Sequence, residues 1–148
     1  MFTIIGAKAY LSEIKRLDAV IDAKLAERDA LYEMLTHITP TLKQDVVSSG
    51  GFQQDKMGNA IAKITDLGNE LDSVIDSFVD KKREASALLE RLENPLHYQV
   101  LHKRYVLFHS FEKIAGDLNY TYQWVCRVHG RALQAFDAVL RQQKEEGA

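Results

Sequence analysis

Residues 110–136 read SFEKIAGDLNYTYQWVCRVHGRALQAF, and this stretch decides the C-terminal fold. Apolar residues recur every three or four positions on both sides of the Asn119-Tyr120 step, which is typical of two helices joined by a tight turn. Ser110 and Thr121 stand just before the two periodic runs, where helix N-caps are expected. The inward positions are Ile114, Ala115 and Leu118 on the first helix, and Val125, Val128, Ala132 and Leu133 on the second. This pattern predicts a helix-turn-helix.

The outward side chains of the second helix are of the types that bind DNA. Arginine and glutamine match the donor and acceptor pattern of guanine and adenine edges, and arginine also neutralises phosphates. We therefore expect Gln123 and Arg127 to contact bases, with Tyr122 and Cys126 at the same contact surface. Phosphate contacts are expected from Lys103, Arg104, Lys113 and Arg131, and from the helix N-termini at Ser110 and Thr121.

The alternative to a DNA reader is a structural cap of three helices that uses the same tight turn. In that case Arg127 and Arg131 are solvated surface residues. Trp124 could pack on the first short helix or stack on a DNA sugar, and packing is favoured because a large aromatic ring is more often buried than exposed. The presence of Gln123 with both arginines on one helix face favours DNA contact.

The boundary of this C-terminal domain is expected at Asn94-Pro95. Asparagine caps helices well, and proline suits the first helical turn. The predicted helices run from Pro95 to about Leu107, from Ser110 to about Leu118 and from Thr121 to about Gln142. Residues 94–148 carry 7 Lys/Arg against 5 Asp/Glu, whereas residues 1–93 carry 12 against 16. The basic balance of the C-terminal part suits an anionic partner.

The N-terminal part, residues 1–93, contains two long amphipathic patterns. Apolar residues repeat from about Tyr10 to Leu35 and again, with heptad-like spacing, from Met57 to Glu93. Because such long apolar faces need a partner helix, we expect an antiparallel helical hairpin followed by the helix-turn-helix, in an all-α protein. The hairpin is a candidate dimerisation element that would give a homodimer with two recognition helices. It could instead bind another protein, such as RNA polymerase.

The stretch between the two patterns, residues 37–56, lacks an apolar period. It contains Pro40 and the run SSGG at 48–51. The proline is expected to end the first helix at Thr39-Pro40, since it disfavours helical geometry in the residue before it. The sequence therefore predicts a long loop at about 37–56.

Other function classes have little support in the sequence. No apolar run approaches the roughly 18 residues of a membrane span, and the first residues lack the features of a secretory signal, so we expect a cytoplasmic protein. Cys126 is the single cysteine, and the five histidines do not form a metal-binding pattern, so we expect no metal and no cofactor. Asp72, Asp76 and Asp80 are interpreted as a solvated helix stripe. No constellation of residues predicts an enzyme.

Residues 110–136 resemble, without a gap, region four of bacterial sigma factors, which binds the promoter −35 element. The matching positions are Phe111, Glu112, Ile114 and Ala115 in the first helix, and Thr121, Val125, Val128 and Ala132-Leu133 in the second. The resemblance implies base and phosphate contacts at Tyr122, Gln123, Cys126 and Arg127. Cys126 stands where these factors commonly have arginine, and Trp124 and His129 replace charged residues.

Over residues 7–140 the chain is similar to a family of small regulators encoded by phages and prophages of Gram-positive bacteria. The resemblance is carried by YLSEIKRLDAVIDAKL at 10–25, by SSG and DKM at 48–50 and 55–57, and by YTYQWVCRVHGRAL at 120–133. These regulators are related to activators of phage late-gene transcription. The resemblance implies a sequence-specific transcription regulator in the bacterial host cytoplasm. The alternative is a non-enzymatic helical adaptor that binds a protein partner such as RNA polymerase.

Overall fold

The computed structural model describes residues 4–44 and 50–147, and the side chains of residues 6–37 and 55–147. Every regular element in these ranges is helical, so the predicted all-α class is confirmed. The elements are α1 (Ile4–Gln44), α2 (Gly50–Leu89), α3 (Pro95–Leu101), a π-helical segment (His102–Val106), α4 (Phe111–Leu118) and α5 (Tyr122–Glu146). None of the described helices is long and apolar enough to cross a membrane.

The first long helix runs further than the sequence predicted. α1 continues through Pro40 to Gln44, so the predicted end at Thr39-Pro40 was wrong. A proline removes one backbone N–H donor from a helix interior, at a cost of roughly 3 kcal/mol. Extending an existing helix gains one hydrogen bond per residue without a new nucleation step, and this favours continuation of α1 beyond the proline.

The predicted loop at about 37–56 is therefore helical at both of its ends. α1 occupies it as far as Gln44, and α2 already starts at Gly50 rather than near Met57. Residues 45–49 lie outside the described residues. An apolar period predicts a packed helix face, whereas helix formation itself depends on backbone hydrogen bonds, so a helix can continue where the period in the sequence ends.

The first of the C-terminal helices begins where the sequence predicted. α2 ends at Leu89, short of the predicted end at Glu93. The side-chain oxygen of Asn94 then accepts a hydrogen bond from the Leu96 N–H at 2.9 Å, and Pro95 occupies the first turn of α3. Asn94 is thus the N-cap that was predicted.

α3 passes directly into the π-helical segment. Here the Leu107 N–H donates to the His102 carbonyl at 3.1 Å. This bond spans five residues instead of the four of an α-helix, so the segment contains one residue more than an α-helical turn. The sequence predicted a single helix from Pro95 to about Leu107 and gave no sign of the change in helix type.

The contacts divide the chain into two compact units. We call Met1–Arg16 with Phe78–Ala148 the core unit, and Leu17–Ser77 the paired-helix unit. In the paired-helix unit a salt bridge of 2.8 Å joins Lys24 on α1 to Glu70 on α2. Its buried side chains, among those the structure describes, are Ala60 and Leu71.

The core unit contains two clusters of buried side chains, and α5 contributes to both. The large cluster contains Ala7, Leu11, Ile14, Ala85, Leu88, Leu89, Leu101, Tyr105, Val106, Ala132, Leu133, Phe136, Val139 and Leu140. The small cluster contains Val100, Ile114, Ala115, Val125 and Val128. The predicted inward residues of α4 and α5 are therefore buried, apart from Leu118, which is half-buried and packs against the small cluster. α3, α4 and the first turns of α5 are held together by this small cluster.

Candidate nucleic-acid interface

The two helices of the predicted site both begin at a capped residue. The Ser110 hydroxyl accepts a hydrogen bond from the Lys113 N–H at 3.1 Å, and the Thr121 hydroxyl accepts one from the Trp124 N–H at 3.1 Å. Both cap residues have extended backbones, so the predicted N-caps are confirmed. Each hydroxyl keeps its own proton, which it can donate to an anion at the helix N-terminus.

The turn between α4 and α5 depends on Asn119. Its backbone lies in the left-handed region, with φ 60° and ψ 41°, which asparagine tolerates better than most other residues. The Tyr120 N–H reaches back to the Ala115 carbonyl at 3.0 Å and closes the end of α4. The predicted tight turn at Asn119-Tyr120 is confirmed, and it lets α4 and α5 pack on each other in the small cluster.

The outward face of α5 carries the two predicted base contacts, Gln123 and Arg127, and the predicted phosphate contact Arg131. Gln123, Arg127 and Arg131 are exposed, and because they are four residues apart they form one stripe along the helix. The Arg131 guanidinium lies 5.9 Å from the centre of the Trp124 ring. Neither arginine forms an ion pair with any side chain in the described ranges. Both guanidinium groups are therefore available to an anionic partner.

Tyr122 and Cys126 lie one turn apart, beside this stripe. Tyr122 is 46% exposed, whereas Cys126 is half-buried. A hydrogen bond with the Cys126 side chain raises the pKa of the Tyr122 hydroxyl, so the hydroxyl is a neutral donor near pH 7. An exposed, neutral phenol at a helix N-terminus can donate to a phosphate oxygen or pack against a sugar.

Arg104 is held beside the N-terminal end of α5 by aromatic contacts. Its guanidinium lies 4.2 Å from the centre of the Phe111 ring and donates to the His109 carbonyl at 3.2 Å. Phe111 packs edge-on against Tyr122, with ring centres 6.3 Å apart. The structure thus brings the predicted phosphate contact Arg104 together with the contact surface of α5.

The other two predicted lysine contacts are less tightly positioned. The Lys113 Nζ on α4 lies 3.9 Å from the Asp117 carboxylate, an exposed pair too weak to fix the side chain. Lys103 is half-buried in the π-helical segment. Burial, followed by the charge of Lys103, lowers the pKa of the adjacent His102. Both amines can still bind an anion.

A contact between His129 and Tyr105 was missed by the sequence analysis. The Nε2 atom of His129 lies 2.8 Å from the Tyr105 hydroxyl, and the two rings stack with centres 5.7 Å apart. Burial, followed by the positive charge of Arg104, lowers the pKa of His129 to about 4. The ring is therefore neutral at pH 7, and Nε2 can accept the Tyr105 O–H when the ring proton is on Nδ1. No local pattern pairs residues 24 positions apart, so no sequence signal could have found this contact.

Trp124 is half-buried and packs against the small cluster, so the prediction of a packing role is confirmed. Its ring centre lies 6.3 Å from that of Tyr120 in the turn. The indole Nε1 is buried and has no hydrogen-bond partner in the part of the chain that the structure describes. Trp124 therefore stabilises the start of α5 from beneath the exposed stripe.

Comparisons of the chain with family models, with curated proteins and with solved structures gave no match. The resemblance to sigma region four and to phage regulators therefore rests on the residues quoted from the sequence. Function has to be inferred from those residues and from the geometry of the α4–α5 surface.

Proposed function

We propose that the chain is a sequence-specific DNA-binding protein that regulates transcription. In this proposal α4, the Asn119 turn and α5 form a helix-turn-helix similar to region four of sigma factors, and α1 and α2 form an antiparallel helical hairpin. α5 is the recognition helix, and its N-terminal end enters the major groove.

The observation that carries the proposal is the absence of counter-ions at Arg127 and Arg131 among the described residues. Three other arginines of the core unit, Arg16, Arg91 and Arg141, each form a salt bridge of 3.0 Å or less, whereas Arg83 and Arg104 form none among the described residues. Arg127 and Arg131 combine exposure with a position one turn apart on the same face of α5. This pair of unpaired cations on one helix face supports an anionic ligand for the stripe.

The remaining groups at this surface suit a DNA duplex. Arg127 can bind a guanine edge through two hydrogen bonds, and Gln123 can bind an adenine edge in the same way. Arg104 and the capped N-termini of α4 and α5 are suited to phosphates, which fix the register of the protein on the duplex. Base reading and phosphate binding thus have separate sets of side chains.

A regulator that activates phage or prophage genes is the most specific form of the proposal, and it rests on the sequence resemblance. One module with so few cations binds weakly, since non-specific affinity grows with the number of phosphates neutralised. We propose that dimerisation through the hairpin, or contact with RNA polymerase, supplies the remaining affinity. The exposed Ile61 and Ile75 of the paired-helix unit support a protein partner there.

Selection of bound sequences from a library of random duplexes tests the proposal. The parent protein is compared with Arg127→Ala/Arg131→Ala, and with Lys56→Ala/Lys63→Ala as a control of equal charge change in the paired-helix unit. We expect one enriched motif with the parent and the control, and none with the arginine variant. A repeated motif would also give the spacing of half-sites in a dimer.

A second candidate function, a helical adaptor, is favoured by one observation. Tyr32, Met34, Ile61 and Ile75 are at least 40% exposed in the paired-helix unit, and large exposed apolar side chains often mark a protein-binding surface. For a pure adaptor, the library yields no motif with any of the three proteins. Binding to a purified protein partner would then survive loss of Arg127 and Arg131.

A further inference from the structure

Phe108 lies at the centre of a second group of cations in the core unit. Its backbone has φ 61°, a region that residues other than glycine rarely adopt, so the packing around its ring must hold it there. The ring packs against the large cluster. Two ammonium groups lie over it, Lys15 of α1 at 5.1 Å and Lys82 of α2 at 5.5 Å from the ring centre. The ring thus brings together charges from two helices.

These cations lack counter-ions in the described part of the chain. Neither Lys15 nor Lys82 has a carboxylate within salt-bridge distance there. Lys103, which follows His102 in the π-helical segment, adds a third charge. Burial first, and then the charges of Lys103 and Lys82, lower the pKa of His102, whereas the charge of Glu90 raises it. We call Lys15, Lys82, Lys103 and Phe108 the Phe108 patch. Like charges held together repel one another, and an anion bound among them would offset that repulsion.

The Phe108 patch is linked to the α5 surface through the backbone of His109 and through Arg104. The residue after Phe108 is His109, whose carbonyl accepts the hydrogen bond from Arg104 at 3.2 Å. Arg104 lies over Phe111 at 4.2 Å, and Phe111 contacts Tyr122, in the first turn of α5, with ring centres 6.3 Å apart. A chain of basic and aromatic residues therefore links the Lys15 and Lys82 contacts of Phe108 with the first turn of α5.

We propose that Lys15 and Lys82 bind the phosphate backbone of the same DNA duplex that α5 reads. This inference rests on the proposed function and adds a contact that lies outside the helix-turn-helix. The ammonium group suits this role because it is a point charge with three donors and no planar fork for reading bases. The exposed Lys15 lies over the Phe108 ring alone. The Lys82 ammonium lies over two rings, Phe78 at 4.9 Å and Phe108 at 5.5 Å, and its three N–H donors supply the contact to a phosphate oxygen.

The salt dependence of DNA binding tests this inference. Affinity of the full chain for a fluorescein-labelled duplex of mixed sequence is measured by anisotropy between about 50 and 200 mM NaCl. Each phosphate contact contributes about 0.9 to the slope of log affinity against log salt. We expect Lys15→Gln/Lys82→Gln to make the salt dependence less steep, with the magnitude of the slope smaller by about 2. We also expect this variant to bind about 30-fold more weakly near 0.15 M salt.

Two control variants separate charge from structure. Lys56→Gln/Lys63→Gln removes the same charge from the paired-helix unit and should keep the parent slope, because those exposed lysines lie outside the patch. Lys15→Arg/Lys82→Arg keeps the charge and the ring contact, and it should also keep the slope. Thermal unfolding followed by circular dichroism establishes that each variant is folded at the assay temperature.

The outcomes distinguish failure of the inference from failure of the proposed function. In one outcome Arg127→Ala/Arg131→Ala abolishes DNA binding but Lys15→Gln/Lys82→Gln keeps the salt dependence of the parent. The lysines would then serve only to stabilise Phe108, so the inference would be overturned while the proposed function stands. An equal loss of slope in the Lys56 and Lys63 control would mean a general charge effect and would also overturn it. If the parent shows no salt-dependent binding, the proposed function and the inference fail together.

Discussion

The two units are built on the same two long helices but differ in charge and in burial. The core unit carries 14 Lys/Arg and 10 Asp/Glu, a net charge of +4, whereas the paired-helix unit carries 5 and 11, a net charge of −6. Two compact clusters of buried side chains fill the core unit. In the paired-helix unit Ile61 and Ile75 are 49% and 40% exposed. The same amphipathic pattern thus gives two buried clusters in one unit, whereas in the other unit Ala60 and Leu71 are the buried apolar side chains among the described residues.

This difference shows what an apolar period predicts and what it leaves open. A period fixes which side chains share a helix face, but burial of that face depends on what packs against it. In the core unit α5 and the π-helical segment cover the faces of α1 and α2. The acidic surface of the paired-helix unit would repel DNA, so the proposed division places DNA binding in one unit and protein binding in the other.

The largest expected effect compares two apolar residues on α2, one in each unit. Leu89 is fully buried in the large cluster, whereas Ile75 is 40% exposed. Leu89→Ala should lower the free energy of unfolding by about 3 to 4 kcal/mol, because it leaves a cavity. Ile75→Ala should cost less than about 1 kcal/mol in the monomer. Urea unfolding of both variants checks this comparison, and equal losses would mean that the two units are packed alike.

The next effect concerns the His129 ring in the core unit. Its pKa of about 4 in the folded protein lies below the ordinary value of 6.5, so between these pH values the unfolded chain binds a proton that the folded chain does not. The stabilisation is complete above pH 6.5 and is lost as pH falls toward 4. We expect a loss of roughly 1 to 2 kcal/mol for this half-buried group.

Chemical unfolding at a series of pH values measures this effect. His129→Gln should unfold with a flatter pH profile between 6.5 and 4, because the amide does not titrate and can still accept the Tyr105 O–H. A profile as steep as that of the parent would mean that other groups cause the acid sensitivity. The burial-lowered pKa values of His97 and His102 should leave part of the slope in place.

A smaller effect is expected at the N-cap of α5. Thr121→Ala removes the acceptor for the Trp124 N–H, and it should cost about 1 kcal/mol of stability. Thr121→Ser keeps the acceptor and should stay close to the parent. Thermal unfolding of Thr121→Ala and Thr121→Ser measures this difference. Identical melting temperatures would show that the cap makes no measurable contribution to stability.

The smallest effect is expected at the Lys24–Glu70 salt bridge of the paired-helix unit. The hydrogen bond with Glu70 raises the pKa of Lys24, but the pair lies at the surface, where ion pairs contribute little. A double-mutant cycle with Lys24→Gln and Glu70→Gln should give a coupling that vanishes at about 1 M salt. A coupling that persists at high salt would indicate a pair shielded from solvent.

The sequence predicted the parts of the site that depend on neighbours along the chain. Asn94, Ser110 and Thr121 cap helices through bonds that span two or three residues, so their roles follow from residue type and position. The tight turn at Asn119 is also predictable from residue type, because asparagine tolerates the left-handed conformation that ends a helix. The residue types within a few positions of each other along the chain therefore suffice to predict α4, α5 and the turn between them.

The remaining features depend on contacts between distant segments. The Tyr105–His129 pair and the Lys15–Phe108 contact join residues that no local pattern links. The positive φ of Phe108 follows from that packing and not from residue type. Pro40 shows the converse error, because a local helix-breaking signal was outweighed by continuation of an established helix.

The π-helical segment His102–Val106 has a consequence for how the chain tolerates insertions and deletions. It contains one residue beyond the α-helical repeat, so a single deletion at Lys103 can be absorbed by converting it to α-helix. Because the residue removed is the extra one, the residues on either side of the segment would keep their orientation around the helix axis. A single deletion in α3, which has no extra residue, would instead rotate the side chains that follow it by about 100° and turn Arg104 away from Phe111.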